Sequence, residues 1–209
     1  MSVALDTRFQ GLAEELAEVS RLFYSRGWAF GTSGNFSAVV RTDPLTLAIT
    51  TSGVDKGLLE SRDVVAIDTS GRVVQGAGRA SAEAALHLAI VRARGAGAVL
   101  HTHSIWSTIL SDGARAPSLT LDGYEMLKGL DGVRTHEHEE SLPIIDNSQD
   151  WAGQVPQVEA MLGRHSAAHG FLIRRHGLYT WGRDLAEAKR HVEILEFLFE
   201  ATGRSRKRG

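Results

Sequence analysis

Two histidines, His101 and His103, lie one residue apart in an apolar segment, "AVLHTHSIW", at positions 98–106. Successive side chains of a strand point to opposite faces, so both imidazoles are expected on one face, where they can share a metal ion. Burying two polar rings costs free energy unless each has a partner, and a metal provides one for both. The pair alone does not distinguish a metal site from two hydrogen-bonded core histidines.

A divalent ion needs a further ligand, because catalytic zinc typically binds three protein groups and leaves one position open. His176 is the best candidate, since it lies in "RRHGLY", where Gly177 permits a tight bend and a close backbone approach. Taken by itself, His176 is somewhat better explained as a turn histidine. The three histidines together form a candidate metal site, with hydrogen-bonded structural histidines as the alternative.

Other histidines show weaker patterns. His136 and His138 in "RTHEHEE" have the same spacing, but their neighbours are charged on both faces, so we expect them to be solvated and without a metal. His165 and His169 come near the end of a helix, where interaction with the helix dipole explains them.

Three clusters of small and hydroxyl residues are candidates for phosphate binding. They are "GTSGNFS" at 31–37, "TTSGVDKG" at 50–57 with Lys56, and "RASAE" at 79–83 before a helix. Exposed backbone N–H groups, hydroxyls and a lysine form a surrounding suited to an anion. Each cluster alone is typical of a turn, and three in one chain together with Lys56 leave a phosphate site and ordinary turns as evenly matched alternatives.

Acid–base chemistry beside a metal requires a carboxylate. Glu83 and Glu125, in "SAEAALH" and "GYEMLKG", have small or apolar neighbours, whereas most other glutamates belong to solvated helix faces. The residues alone do not rank these two.

Periodicity and turn residues outline the elements that position these groups. They predict hairpins before the histidine pair and helices around it, without regular strand–helix alternation, which favours a mostly antiparallel sheet covered by helices. Four helices are predicted at 6–26, 104–111, 122–128 and 150–165. Two more are predicted from their ends: one begins at an N-cap Ser81 and stops at Gly95, and the final one begins at an N-cap Asp184. The predicted strands are the hairpins 35–53 and 63–76, then 98–104, 142–145 and two strands in 170–182 that meet at a bend at His176 and Gly177.

Length and composition limit the possible classes of function. The chain has 209 residues, which suits a single domain, and a formal net charge of -2, which gives no general attraction for nucleic acid or an anionic membrane. It has no cysteine, so any metal must bind His, Asp or Glu. Neither a targeting segment nor a bilayer-long apolar run is evident, so a cytoplasmic location is expected. The basic residues of 201–209 are expected to form a flexible tail.

Five motifs, "GTSGNFS", "ITTSG", "SAEAALH", "HTHS" and "RRHGLYTWG", occur in the order and spacing of the class II aldolase/adducin family, which the chain resembles over about residues 12–200. The resemblance implies a three-layer α/β/α fold of the α/β class with a central, mainly antiparallel sheet. It also implies a homotetramer whose sites lie near subunit interfaces.

The resemblance assigns roles to individual residues. It implies one zinc ion per subunit on His101, His103 and His176. It also implies a pocket for the phosphate of a small sugar phosphate, formed by Asn35, Ser52, Gly53 and Ser81, with Lys56 as an addition. Ala82 stands where many aldolases of the family have a second serine, so one phosphate contact is missing or replaced.

"GYEMLKG", "IIDNSQD" and "HVEILEFLFE" resemble a branch of this family that dehydrates a ketose phosphate in methionine salvage. Glu83 matches the acid–base residue of the aldolases, and Glu125 matches that of the dehydratase branch. We favour Glu125 because the aldolases and epimerases also use a tyrosine near the C-terminus, and none follows Tyr179 here. The alternatives are a sugar-phosphate aldolase or epimerase and, less favoured because the three histidines are present, a non-catalytic adducin-like interaction module.

Overall fold

One nine-stranded sheet organises the chain. The computed structural model describes residues 3–206, and side chains for residues 7–205. The strands run in the order β4-β3-β2-β1-β5-β9-β8-β7-β6. Neighbouring strands pair antiparallel except β7 and β8, which are parallel. The expected mainly antiparallel sheet is therefore confirmed.

The first part of the chain forms the predicted opening helix and two hairpins. Gly27 follows the helix with a positive φ of 77°, a conformation that glycine adopts at little cost. The elements are α1 (Val3–Ser25), β1 (Asn35–Thr42), β2 (Leu45–Thr50), β3 (Val64–Ile67) and β4 (Val73–Gln75).

The second part of the described chain contains the other four α-helices and the remaining five strands. The expected caps are present at Asp184, whose carboxylate accepts the N–H of Glu187 at 2.8 Å, and at Gly95, which has a φ of 61°. The elements are α2 (Ala84–Arg94), β5 (Ala98–Thr102), α3 (Ile105–Gly113), β6 (Ser118–Leu121), β7 (Glu140–Ile145), α4 (Trp151–Arg164), β8 (Gly170–Ile173), β9 (Gly177–Gly182) and α5 (Leu185–Arg206).

The sheet has a core on each face because its side chains alternate. In β2, Leu47 and Ile49 join a cluster with residues of α2 and α4, whereas Ala48 between them joins a cluster with α1 and the start of α5. A third cluster lies under α3 and the rest of α5. Helices thus cover both faces, which confirms the three-layer α/β/α architecture.

Three predicted features differ from the structure. Ser81 is not the N-cap of α2, which begins at Ala84, because residues 81–83 form a separate turn in which the Ser81 hydroxyl accepts the N–H of Glu83 at 3.2 Å. The segment predicted as a helix over 122–128 contains only a short 3-10 helix, Glu125–Gly129. Helix α5 continues to Arg206, so the expected flexible tail is helical that far, and residues 207–209 lie outside the described part. Among the described residues, no helix is long and apolar enough to cross a membrane.

Candidate active site

Strand β5 and the turn before β9 position the three predicted metal ligands. His101 lies in β5, beside Asn35 of β1 and Tyr179 of β9. His103 follows the end of β5, and its N–H donates to the carbonyl of Trp28 at 2.7 Å. His176 immediately precedes β9, after a residue with a φ of 56°. The bend brings the backbone so close to β5 that a Cβ at position 177 would collide with the carbonyl oxygen of Thr102.

The three histidines direct their Nε2 atoms to one point. These atoms are 2.8 Å apart for His101 and His103, 3.0 Å for His103 and His176, and 3.3 Å for His101 and His176. The His101 Nδ1–H donates to the carbonyl of Leu178 at 2.9 Å, and the Nδ1 of His176 bonds Oδ1 of Asn147 at 3.0 Å. With both Nδ1 atoms protonated, the Nε2 atoms present lone pairs to one another, an arrangement that a bound cation stabilises.

The surroundings keep these imidazoles neutral, which is the form that binds a metal. Burial and the neighbouring His176 lower the pKa of His101 well below its ordinary value. Burial, followed by the charges of the other two histidines, lowers the pKa of His103 to about 2. Burial also lowers the pKa of His176, against the opposing effect of Glu83. The donor set therefore fits a divalent ion that binds imidazole.

Glu83 borders the histidine cluster. Its Oε2 lies 3.3 Å from Nε2 of His101, and its Oε1 lies 3.4 Å from Nε2 of His176. Two donors fix the carboxylate, since Asn35 Nδ2 and the Tyr179 hydroxyl each donate to Oε2 at 2.7 Å. Glu83 is thus placed either to be a further ligand of a metal bound by the histidines or to exchange a proton with a molecule bound next to that metal.

Tyr179 is a component of the site to which the sequence reasoning gave no role. Its ring stacks on His101, with centroids 4.0 Å apart, and on Phe171 on the other side at 5.1 Å. Burial, with the negative charge of Glu83, raises the pKa of Tyr179 well above its ordinary value, so the hydroxyl remains a donor. From the sequence, the alternation of side chains along β9 assigns Tyr179 to one face of the sheet. Only the pairing of β9 with β5 in the structure shows that its neighbour on that face is His101.

A cavity of about 180 Å³ is lined by His103 and by every residue of the expected phosphate pocket. Ser52 and Gly53 contribute a turn in which Gly53 has a φ of 81°. Ala82 also lines this cavity and offers no hydroxyl there. The structure therefore brings together Asn35, Ser52, Gly53, Lys56 and Ser81, and binding of phosphate by them remains a prediction.

Two of these residues are partly engaged with other protein groups. The Lys56 side chain is only 1% exposed, and its ammonium donates to the carbonyls of Thr32 at 3.2 Å and Val54 at 3.0 Å. One of its three N–H bonds is left for the cavity, while burial lowers its pKa. Asn35 bonds Glu83 and His87, so its amide positions Glu83 in addition to facing the cavity.

A wider cavity of about 470 Å³ lies on another side of the histidines. Its lining includes Asn147 and Trp151, which the sequence reasoning did not select. Trp151 is buried, borders both cavities, and lies 5.5 Å from the ring of His176 between centroids. The signal available in the sequence was the polar run "IIDNSQD" directly after an apolar strand, where side chains leave the sheet.

Glu125 lies elsewhere in the described chain. Its side chain is 69% exposed, and its carboxylate pairs with Lys128 and lies 3.9 Å from Nδ1 of His136. It lines neither of the two cavities beside the three histidines. This arrangement does not test its role as acid–base residue. That role requires Glu125 to approach a histidine cluster in some other way than within its own chain.

The expectation for two further histidines was wrong. His138 is only 30% exposed, and its Nε2 bonds Oε2 of Glu140 at 3.0 Å, whereas His136 is exposed as predicted. His169 bonds the same carboxylate oxygen at 2.9 Å, and its Nε2 bonds the carbonyl oxygen of Asp131 at 2.8 Å, so the ring has its partners outside α4. The sequence did not indicate that Glu140 is buried, because polar and charged residues precede it.

Comparisons with known proteins place these features in a family. The family model described as "Class II Aldolase and Adducin N-terminal domain" matches residues 14–202. The chain belongs to the class II aldolase and adducin family. Two solved structures share its fold. YgbL from Escherichia coli, described as "a putative aldolase/epimerase/decarboxylase", has a TM-score of 0.75 and 26% identity, with coverage of 92% of this chain and 88% of that one. L-fuculose-1-phosphate aldolase from Thermus thermophilus has a TM-score of 0.73 and 24% identity, with coverage of 94% and 96%.

Curated relatives are more similar in sequence, and three of them share one name. A methylthioribulose-1-phosphate dehydratase from Marinobacter nauticus is 45% identical over 93% of this chain and 93% of its own length. Proteins of the same name from Pseudomonas aeruginosa and Sorangium cellulosum are 43% and 44% identical, covering 93% and 92% of this chain and 94% and 91% of theirs.

Proposed function

We propose that this chain is a methylthioribulose-1-phosphate dehydratase, a hydro-lyase of methionine salvage. It converts 5-methylthioribulose 1-phosphate to 2,3-diketo-5-methylthiopentyl 1-phosphate and water. The observation that carries the proposal is the 45% identity to a dehydratase over 93% of both chains. A cluster of three histidines beside a cavity of hydroxyl groups and one lysine provides the chemistry that such a substrate needs.

The proposed cofactor is one zinc ion per subunit, bound by His101, His103 and His176. Three imidazoles are a common ligand set for catalytic zinc and leave a position open for substrate. When bound, zinc supplies Lewis-acid polarisation of a carbonyl and an adjacent hydroxyl, here those at C2 and C3 of the ketose.

The protein's own groups perform the remaining steps. A carboxylate takes the proton from C3, and the electron pair of that C–H bond passes into an enediolate. The C4–O bond then breaks, the carboxylate returns a proton to the departing hydroxyl, and water leaves. The resulting enol tautomerises to the 2,3-diketone, so the reaction removes one water without net oxidation. Contacts to the phosphate on C1 position the substrate without taking part in bond breaking; the proposed contacts come from Asn35, Ser52, Gly53, Lys56 and Ser81.

Glu125 is the proposed acid–base residue, supplied by a neighbouring subunit of a homotetramer. It lines neither cavity next to the histidines of its own chain, whereas its exposed carboxylate is available to another copy. Exposed apolar side chains, Met126 beside it and Ile105 and Ile109 on α3, offer surface for subunit contacts. Glu83 then acts as the carboxylate that the protein fixes beside the metal.

The proposed reaction is tested by incubating zinc-loaded protein with 5-methylthioribulose 1-phosphate and identifying the products. We expect a diketone phosphate. An aldehyde with dihydroxyacetone phosphate would indicate a class II aldolase, an isomeric pentulose phosphate an epimerase, and unchanged substrate with no bound metal an interaction module. The expected cytoplasmic location remains a separate prediction, which cell fractionation tests.

Sharing of the site between subunits is tested by complementation. His103→Ala removes a metal ligand and Glu125→Gln removes the carboxylate, so each homo-oligomer should be inactive. Mixed oligomers, formed by co-expression with two tags, should regain activity because some interfaces combine an intact histidine cluster with an intact Glu125. A mixture that stays inactive would place both groups of a functional site in one chain.

A further inference from the structure

A second cluster of ligand-type side chains lies outside the site described above. Oε2 of Glu140, at the start of β7, is 3.0 Å from Nε2 of His138 and 2.9 Å from Nδ1 of His169, just before β8. The carboxyl group is only 1% exposed, and its Oε1 accepts the N–H of His169 at 2.8 Å. The cluster therefore contains a buried negative charge that needs a compensating cation.

The hydrogen bonds of His169 define what can lie between its ring and Glu140. Its Nε2 is 2.8 Å from the carbonyl oxygen of Asp131, which can only accept, so Nε2 bears a proton. In a neutral His169, Nδ1 then presents a lone pair to a carboxylate oxygen at 2.9 Å, which is repulsive. Either a proton or a metal ion must occupy that contact.

The same arrangement occurs in the three-histidine site. There too a ring nitrogen donates to a backbone carbonyl, from His101 to Leu178, while the other nitrogen faces the ligand cluster. Metal-binding histidines typically have such an outer partner. A cavity of about 250 Å³, lined by His138 and Glu140, provides room for a water as the fourth ligand.

We propose that His138, Glu140 and His169 form a second divalent-cation site, of the two-imidazole, one-carboxylate type that binds zinc. The site would connect the starts of β7 and β8. It would also fix the backbone of Asp131, which His191 holds by accepting its N–H at 3.1 Å. Asp131 lies just after the 3-10 helix Glu125–Gly129, so a metal here would have a structural role, and its binding can be measured separately from the proposed reaction.

The test counts metal in the full-length protein. Protein stripped with a chelator is loaded with Zn²⁺, desalted and analysed for zinc by mass spectrometry, beside His138→Ala and a matched control, His136→Ala, from the same segment. We expect about two zinc ions per chain in the original protein and the control, and about one in His138→Ala, since each site has three protein ligands.

Variants of the first site separate this proposal from the proposed function. His103→Ala should retain about one zinc ion per chain although it is inactive, and the double variant His103→Ala/His138→Ala should retain none. If His138→Ala is unstable, His103→Ala alone decides the question, because it leaves His138, Glu140 and His169 intact, and an absence of zinc from this variant would overturn the second site. One zinc ion per chain in the unsubstituted protein, zinc lost on desalting, or equal zinc in His103→Ala and the double variant would overturn the second site and leave a protonated His169 as the partner of Glu140.

Discussion

Replacing Tyr179 by phenylalanine isolates one hydrogen bond of the candidate site. The substitution retains the ring stacked between His101 and Phe171 and removes only the hydroxyl that donates to Oε2 of Glu83 at 2.7 Å. Asn35 is then the remaining donor to that oxygen. A hydrogen bond to a charged group contributes about 1.5–3 kcal/mol, which for a chain of this size corresponds to a fall in Tm of about 3–12 °C.

The activity of Tyr179→Phe should fall as well, because Glu83 loses part of its fixed orientation beside the histidines. If the whole free energy acts in the transition state, kcat/KM falls by about 10- to 150-fold. Calorimetry measures Tm, the substrate assay measures kcat/KM, and zinc analysis shows that the metal is retained. Tyr24→Phe, at an exposed tyrosine, is the matched control. A variant with unchanged Tm and unchanged kcat/KM would refute the assigned contact.

Three further predictions each concern one ionisable side chain: Glu125, Lys56 and Glu196. Glu125→Gln should lower kcat by about 100-fold or more with zinc retained, because general acid–base groups contribute at least that much. Lys56→Met should lower kcat/KM by about 10- to 150-fold, mainly through KM, because a buried charged donor to phosphate is lost. Burial raises the pKa of Glu196 to about 7. The folded state therefore keeps a proton that the unfolded state releases near 4.5, and stability relative to Glu196→Gln should fall by about 3 kcal/mol as pH rises from 4.5 to 7.

Each of these has its own control and its own contradicting result. Glu137→Gln, on an exposed carboxylate, should leave kcat unchanged; near-normal turnover in Glu125→Gln together with an inactive Glu83→Gln would transfer the acid–base role to Glu83. Lys189→Met should not alter KM, and an unaltered KM in Lys56→Met would remove Lys56 from the phosphate pocket. For Glu196, urea unfolding at several pH values gives the free energy of unfolding, and a constant difference from Glu196→Gln would exclude the raised pKa.

The sequence was sufficient to predict the site residues and secondary-structure elements that depend on short local motifs. The three metal-ligand candidates and the five phosphate candidates could be selected because each lies in a short motif that resembles one of the class II aldolase and adducin family, and the structure brings each set together. The hairpins and the capped final helix were predictable from local chemistry, since turn residues and Asp184 act over a few positions.

The remainder depends on contacts between distant segments. Tyr179 reaches Glu83 only because β9 pairs with β5 and the turn before α2 approaches them, and no local pattern encodes that distance. Glu140 was expected to be solvated because charged residues precede it in the chain. In the fold it begins β7, where it is buried and contacts His169. The position of Glu125 relative to a metal cannot be read from one chain at all if a neighbouring subunit supplies it.

The proposed reaction is a metal-dependent loss of water from a ketose phosphate at the three-histidine site. The most direct test follows 5-methylthioribulose 1-phosphate by mass spectrometry with chelator-stripped protein, before and after one equivalent of Zn²⁺ is added. We expect a product lighter by one water that forms only after zinc is restored and does not form with His103→Ala. Equal dehydration by the stripped protein, or cleavage of the carbon chain in place of water loss, would contradict it.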